Sequence, residues 1–223
     1  MLKSYFLIGL RNILKNRLIS LFNILGLSVA FGCVIVIFIF IEYNYSVDKF
    51  HTDGDRIFLI THNQQISGKD YGTTPAMLGP FLQDEMPGIE NMVRLKTEHA
   101  TVVGKSGEPF HELVTFTDAG YFDVFNFTLA WGEPASLADP SRVIISQETA
   151  RKYFGKDNPL GEGFDLYLSN GNRISVSVGG VAAEFPLKRS FDFSFLINRQ
   201  VLNTDHKENE QWNSFVDATF LKV

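Results

Sequence analysis

The longest hydrophobic pattern in this chain is an uninterrupted run without charged residues over residues 18–41. As a helix the run would be about 36 Å long at about 1.5 Å per residue, and the hydrocarbon core of a bilayer is about 30 Å thick. It is longer than the apolar part of a secretory signal, and no small residues that suit a cleavage site follow it. We therefore predict a retained transmembrane helix over residues 18–41.

The residues before this run alternate between apolar and basic positions at helical spacing. This pattern predicts an amphipathic leader helix over residues 1–17, lying in the cytoplasmic interface of the membrane. A continuous extension of the membrane helix with snorkelling basic side chains is the alternative. Asn12 and Asn16 favour a break between the two segments.

Beyond residue 41, short apolar segments alternate with turn residues, as in a mixed domain. Strands are predicted at 56–61, 91–96, 101–103, 113–117, 143–145, 164–168, 173–178, 193–197 and 215–223. Helices are predicted at 75–86, with Thr74 as the N-cap, and at 147–154, between Ser146 as N-cap and Gly155. Asn170-Gly171 predicts a hairpin turn. The fold class is α+β: one N-terminal transmembrane helix, then a mixed extracytoplasmic domain over residues 42–223.

Charge is distributed unevenly on the two sides of the apolar run. Four of the 20 Lys and Arg residues, and none of the 25 Asp and Glu residues, precede Leu18. Because positive residues concentrate on the cytoplasmic side, we predict a cytoplasmic N-terminus and an outer domain outside the cytoplasm. That domain carries nine more acidic than basic residues, which argues against a nucleic-acid partner. The one cysteine, Cys33, lies inside the run, so the outer domain has no disulfides.

Small and polar residues share one face of the predicted membrane helix. This face, called the packing face below, consists of Ser20, Asn23, Gly26, Ala30 and Cys33, which fall within about 140° on a helical wheel. Small residues let helix backbones approach closely in lipid, where the hydrophobic effect gives no reason for them. Chance composition is the alternative, since Ser28 and Gly32 lie off this face. We predict that the packing face contacts a helix of another chain.

Partial motifs of two chemistries occur in the outer region, but neither is complete. Residues 104–106 (Gly-Lys-Ser) resemble the end of a phosphate-binding loop, yet His99 stands where its first glycine is required. Residues 111–112 (His-Glu) begin like a zinc-binding helix, yet Thr115 stands at the second histidine position. We therefore predict no catalytic residue, no cofactor, no metal site and no ATPase activity in the chain itself.

Four segments, in order along the chain, resemble motifs of the MacB/FtsX-like ABC transporter permeases. They are the start of the chain through LSVAFGC (residues 2–33), YSVDKFHTDGDRIFLI (45–60), the stretch from FTDAGYF to GEGF (116–164) and GGVAAEFPLKRSFDFSFLI (179–197). The matching positions of the second segment are Asp48, Phe50, His51, Asp55, Arg56 and Ile57. The fourth departs from the usual pattern, because Arg189 and Phe191 replace Asn and His on either side of Ser190.

The resemblance implies an extracytoplasmic core domain with a porter-like βαβ lobe and a β-rich lobe. It also implies a location in the bacterial inner membrane and a role in export, efflux or envelope processes. The implied partners are a cytoplasmic ABC ATPase, a second permease copy or complementing half, membrane lipid and a periplasmic or outer-membrane protein. Such permeases transmit ATP-driven motion across the membrane to the outer domain.

The chain stops at Val223, in a strand expected to return to the βαβ lobe, before the later membrane helices of these permeases. We therefore expect a truncated permease, a fragment, or a part complemented by another chain. Two other classes stay open on the sequence. A single-pass sensor or adaptor would need a cytoplasmic signalling segment, and a membrane-anchored hydrolase would need a convergent nucleophile and base; we find neither.

Overall fold

A computed structural model of the protein describes residues 2–64, 68–105, 107–155, 158–204 and 211–223. The chain divides into two compact units, Met1–Val47 and Asp48–Val223. The helices are α1 (Leu2–Lys15), α2 (Arg17–Ser46), α3 (Leu78–Glu85), α4 (Tyr121–Val124) and α5 (Gln147–Phe154), with 3₁₀ turns at Gly54–Arg56, Pro134–Ala138 and Arg199–Thr204. The strands are β1 (Ile57–Leu59), β2 (His62–Gln64), β3 (Lys69–Tyr71), β4 (Thr74–Pro75), β5 (Asn91–Val103), β6 (Pro109–Thr117), β7 (Leu129–Gly132), β8 (Arg142–Ile145), β9 (Gly163–Leu168), β10 (Arg173–Ala182), β11 (Phe195–Asn198), β12 (Phe215–Val216) and β13 (Ala218–Lys222).

The first unit consists of two helices that are separated at Asn16. This residue has a non-helical backbone, with φ −109° and ψ 54°, so the leader is a helix of its own rather than an extension of the next one. Helix α2 is 30 residues long, or about 45 Å, and none of these residues, all of them described, is buried. In the described part of the chain α2 alone is long and apolar enough to cross a membrane.

Helix α2 continues five residues beyond the predicted end at Ile41. Polar side chains bond to the helix backbone there: Asn44 Nδ2 donates to the Phe40 carbonyl at 2.8 Å, and Ser46 Oγ donates to the Tyr43 carbonyl at 2.9 Å. The apolar run indicates which part of the helix can lie in lipid. The helix itself continues to Ser46, and the backbone becomes extended only at Val47.

The second unit is built on one mixed sheet of nine strands. Their order is β1-β13-β5-β6-β11-β8-β10-β7, and β9 pairs with both β10 and β5. Strands β5, β6, β11, β8, β10 and β9 therefore form a closed ring. The pairs β10/β8 and β11/β6 are parallel, and the others are antiparallel. This mixed architecture confirms the predicted α+β class.

The ring is joined to a βαβ arrangement through its longest strand. The first half of β5 pairs with β13, and β13 also pairs with β1. Since both pairs are antiparallel, β1 and β5 run in the same direction on either side of β13, and α3 packs against β5 and β13. The βαβ lobe and the β-rich lobe thus share one strand and one sheet.

Alternation of side chains along the strands divides the interior into two hydrophobic clusters. The first fills the ring with residues such as Phe116, Leu166 and Phe195 and is covered by Ala150 of α5. The second lies on the other face of the sheet, where Leu196 and Phe193 pack against the aromatic residues around α4. Leu196 lies between Phe195 and Ile197 in sequence but belongs to the opposite cluster, as period-two alternation requires.

A buried ion pair lies where β5, the turn before α4 and the segment before α3 meet. Arg94 Nε and Nη2 donate to the Asp118 carboxylate at 2.9 and 2.6 Å. The Arg94 backbone N–H also donates to that carboxylate, at 2.8 Å, and Nη1 donates to the Ala76 carbonyl at 2.7 Å. The two side chains are only 7% and 17% exposed. The pair therefore connects three segments that are distant in sequence.

Several local predictions are confirmed. The side chain of Ser146 accepts a hydrogen bond from the Thr149 N–H at 3.0 Å, and α5 ends at Gly155, which has φ +69°. Asn170-Gly171 forms the hairpin between β9 and β10, with Gly171 at φ +85°.

Other local predictions are wrong. Thr74 is not a helix cap but belongs to β4, and α3 begins only at Leu78. The Thr74 hydroxyl lies 2.6 Å from the Thr219 hydroxyl on β13. It therefore bonds a distant strand and not the N–H groups at the start of a helix. The predicted strands 91–96 and 101–103 are one strand, because β5 has partners along its whole length. The predicted strand 215–223 is interrupted at Asp217.

Candidate functional site

The chain enters the second unit through a short segment that folds back onto two loops. This entry segment, residues 48–52, follows Val47, the residue after α2. Its partners are the α4–β7 loop (125–128) and the β10–β11 loop (183–194). All the contacts described below lie within the second unit.

Asp48 joins the entry segment to the β10–β11 loop. Its carboxylate accepts hydrogen bonds from the backbone N–H of Ser190, at 2.9 Å, and from the Ser190 hydroxyl. Its own N–H donates to the Lys188 carbonyl at 3.1 Å. Asp48 has φ +61° and is the one non-glycine residue with positive φ in the described chain. This conformation is uncommon outside glycine but is tolerated by Asp, and it lets both the amide and the carboxylate face the same loop.

His51 joins the entry segment to the α4–β7 loop. Its Nδ1 accepts a hydrogen bond from the Asn126 N–H at 3.0 Å, and the Thr52 N–H donates to the side-chain oxygen of Asn126 at 2.9 Å. Because Nδ1 is an acceptor, the neutral ring carries its hydrogen on Nε2. The residue is 7% exposed, and Nε2 is buried without a hydrogen-bond partner among the described residues.

The imidazole of His51 is surrounded by aromatic rings from three segments. Ring centroids lie 4.0 Å away for Phe50, 5.5 Å for Phe125, 5.4 Å for Phe127 and 6.4 Å for Phe191. Burial, which disfavours the charged ring, lowers the pKa of His51 below its usual value, and the nearby Asp48 carboxylate opposes this effect. The aromatic rings and the burial therefore favour a neutral imidazole.

The entry segment brings together three of the four segments that carry the family resemblance. Residues 45–60 supply Asp48 and His51, residues 116–164 supply the α4–β7 loop, and residues 179–197 supply the β10–β11 loop. Phe191, one of the two departures from the usual pattern, lies nearly parallel to the His51 ring, with 22° between their planes. Arg189, the other, pairs with Asp192 and lies over the Phe185 ring. Sequence reasoning identified these motifs but did not combine them into a site.

The predicted packing face lies entirely on α2. Asn23, Gly26, Ala30 and Cys33 are exposed and Ser20 is half-buried. A Cβ added at Gly26 would meet no atom within 4 Å, so the backbone is open to close approach here. Contact with another helix stays a prediction.

The two partial motifs have structural roles in the described residues. Lys105 forms an ion pair with Glu162 at 3.2 Å, while Ser106 lies outside the described residues. His111 and Glu112 lie on strand β6 rather than on a helix, and Glu112 accepts hydrogen bonds from Lys152 and from the Tyr153 hydroxyl. Across the described ranges, no group of three or more His, Cys, Asp or Glu residues is placed to hold a metal ion.

Comparison with known proteins agrees with the motifs. Residues 20–222 match the MacB-like periplasmic core domain. A domain of a permease protein from Porphyromonas gingivalis has the same fold, with a TM-score of 0.62 and 20% identity over 78% of this chain and 75% of that one. The periplasmic region of MacB from Actinobacillus actinomycetemcomitans also has this fold, with a TM-score of 0.54 and 13% identity over 77% of this chain and 75% of that one. A search of curated proteins finds no match. Since the family match covers most of the residues, the chain belongs to the MacB/FtsX-like permeases, whose outer part is the MacB-like periplasmic core domain.

Proposed function

We propose that this chain is the membrane permease component of an ABC transporter of the MacB/FtsX type. In this proposal a separate cytoplasmic ATPase drives a motion that passes through α2 to the outer domain, for export, efflux or an envelope process. The observation that carries the proposal is the entry segment. The residues that directly follow the apolar helix bind both the α4–β7 loop and the β10–β11 loop.

The entry segment suits the transfer of force because its bonds act in parallel on two loops. The β10–β11 loop leads directly into β11, which lies between β6 and β8 in the ring. The α4–β7 loop carries Phe125 and Phe127, which are 2% and 7% exposed and belong to the second hydrophobic cluster. A displacement of Asp48 would therefore act on a central strand and on a packed aromatic core, and not on a free surface loop.

The proposed location is the bacterial inner membrane, with the N-terminus in the cytoplasm. The concentration of Lys3, Arg11, Lys15 and Arg17 before the apolar run, together with the acidic outer domain, supports this orientation. In sealed cells, an impermeant thiol reagent should label a cysteine placed at the exposed residue Ser169 in a Cys33→Ser background. It should label a cysteine placed at Asn12 only after the cells are opened. Labelling of Asn12→Cys in intact cells would contradict the orientation.

Coupling can be tested on the tagged chain, isolated from native membranes in lipid nanodiscs together with the proteins that it retains. We expect an ATPase to be retained, and ATP to change hydrogen exchange in residues 183–194. Asp48→Ala should keep ATP turnover but lose this response. The substitution removes the carboxylate that binds Ser190, and so weakens the connection between the segment after α2 and the β10–β11 loop. Asp70→Ala is the matched control, since it removes an exposed carboxylate that bonds Asn63 on the small β2/β3 sheet.

The outcomes separate the candidate functions. Equal responses of Asp48→Ala and Asp70→Ala would contradict a coupling role for the entry segment. Retention of an outer protein without any ATPase would contradict the permease function and support the sensor or adaptor alternative.

We also propose that the packing face contacts a helix of a second copy or of a complementing subunit. In native membranes Cys33, the one thiol of the chain, should then cross-link more readily than a cysteine placed at Ile35, on the opposite side of α2, in a Cys33→Ser background. Gly26→Leu should weaken the cross-link, since a large side chain keeps the backbones apart, and Ile39→Leu off the face should not. Equal cross-linking from Cys33 and Ile35→Cys would mean that the face contacts lipid only.

A further inference from the structure

We propose that His51 makes the entry segment sensitive to acid, because a proton added to its imidazole releases the segment from the α4–β7 loop. This inference rests on the proposed function in one respect: release would then weaken the coupling of α2 to the outer domain. The release itself is a property of the second unit and needs no ATPase.

The hydrogen-bond geometry decides where the additional proton must go. Nδ1 accepts from the Asn126 N–H at 3.0 Å, so Nε2 already carries the hydrogen of the neutral ring. The added proton must therefore bind Nδ1, where it would face the N–H of Asn126, and two donors would point at each other. The imidazole must then rotate or move away from Asn126. Because Thr52 directly follows His51, this movement also weakens the hydrogen bond from the Thr52 N–H to the Asn126 side chain, which is 2.9 Å long.

The surroundings give a charged ring little compensation. Nε2 has no acceptor among the described residues, and the residue is 7% exposed. Aromatic faces attract cations, but the four neighbouring phenylalanines present no lone pair to an imidazolium N–H. Only neutral residues make up the α4–β7 loop, which consists of Phe125, Asn126, Phe127 and Thr128.

Three elements near His51 carry charged groups. These groups are Asp48, Lys49 and Asp53 on its own segment, Asp123 on α4, and Glu184, Lys188, Arg189 and Asp192 on the β10–β11 loop. Asp53 pairs with Lys222, and Asp192 pairs with Arg189. Asp48 favours the protonated ring, but its carboxylate already accepts two hydrogen bonds from Ser190. Burial has the larger effect, so the pKa of His51 is lowered.

The sign of the pH dependence follows from this direction. In a released segment His51 would have its ordinary pKa of about 6.5, whereas in the bound segment the pKa is lower. The bound segment therefore takes up its proton less readily, and it is favoured most above pH about 6.5. As the pH falls from about 6.5 to the pKa of the bound state, the ratio of released to bound segment rises by up to about tenfold per pH unit.

The first test follows the Asn126 amide by hydrogen exchange, with the full chain in nanodiscs and without nucleotide. After correction for the intrinsic effect of pH, we expect protection of this amide to fall between pH 7 and pH 5, by up to about tenfold per pH unit below pH 6.5. His62→Gln, which removes an exposed histidine on β2 that contacts the Thr73 carbonyl, should behave like the wild type. His51→Gln, which cannot take up a proton, should show no such fall. Unchanged protection in the wild type, or an equal fall in His51→Gln, would overturn the inference.

A second measurement needs no variant at residue 51 and stays decisive if His51→Gln fails to fold. In the wild-type chain, NMR of the imidazole nitrogens should find the neutral ring protonated on Nε2 and titrating below pH 6.5. An Nδ1-protonated ring, or an ordinary pKa, would overturn the inference. Since neither test involves an ATPase, a pH-dependent segment without a nucleotide response would refute the proposed function alone. A nucleotide response with a pH-independent segment would refute this inference alone.

Discussion

Replacing Asp118 with Ala should be among the most destabilising single changes in the outer domain. The substitution removes the acceptor of three hydrogen bonds from Arg94, two from the guanidinium and one from the backbone N–H. The bond from Nη1 to the Ala76 carbonyl would remain. Since the Arg94 side chain is 7% exposed, its charge would stay buried without the Asp118 carboxylate.

The magnitude follows from that burial. Removing one partner of a buried ion pair typically costs about 3–5 kcal/mol, because the other charge is left uncompensated. A whole domain is stable by only about 5–15 kcal/mol. For a domain of this size each kcal/mol lowers the melting temperature by roughly 2–4 °C, so we expect Asp118→Ala to lower it by about 6–20 °C.

A double variant separates the buried charge from simple loss of contacts. Arg94→Met together with Asp118→Ala removes both charges and leaves the Ala76 carbonyl and one backbone N–H without their partners. The backbone N–H loses its partner in the single variant as well, so the double variant adds only the Ala76 carbonyl, at about 1–3 kcal/mol, while it removes the buried charge. We expect the double variant to melt above Asp118→Ala in thermal unfolding followed by circular dichroism, with the full chain in detergent. A double variant that melts at or below the single one would refute the reasoning.

The remaining predictions concern packing and backbone geometry, and the same melting assay tests them. Phe193→Ala should cost about 3–5 kcal/mol, since Phe193 is 4% exposed in the second cluster; an unchanged melting temperature would contradict the packing of that residue. Gly132→Ala should destabilise more than Gly171→Ala, although both have positive φ. An added Cβ at Gly132 would lie 2.3 Å from the Gly179 carbonyl oxygen, whereas an added Cβ at Gly171 would meet no atom within 4 Å. Equal losses of stability in the two variants would contradict this steric cause. Ser146→Ala should cost about 1 kcal/mol by removing the cap of α5, and Ser146→Asp should restore most of that loss.

Patterns within one or two turns of the chain predicted local structure well. The apolar run predicted α2, Ser146 and Gly155 predicted both ends of α5, and Asn170-Gly171 predicted the β9–β10 hairpin. In each case the deciding interaction lies between residues at most a few positions apart, such as the bond from Thr149 to Ser146. Such interactions form in the same way wherever the segment lies in the fold.

Local prediction failed where a distant segment supplied the partner. Thr74 has the residue type of an N-cap, but its hydroxyl contacts Thr219 and its backbone pairs with β12. Residues 97–100 are not apolar throughout, yet they belong to β5, because β6 pairs with them along their whole length. A pattern confined to one segment contains no information on which of its groups another segment will bond.

By itself, the sequence determined the long apolar helix, the acidic mixed α+β region that follows it, the ends of several elements and the family. The tertiary structure alone decided that β9 closes the ring by pairing with β5, that Arg94 meets Asp118, and that Asp48 and His51 of the entry segment bind the two loops. The physical reason is that these contacts join residues separated by 24 to 142 positions. Their formation depends on how the sheet brings strands and loops together, and a lone aspartate or histidine in the sequence does not indicate which partner it will meet.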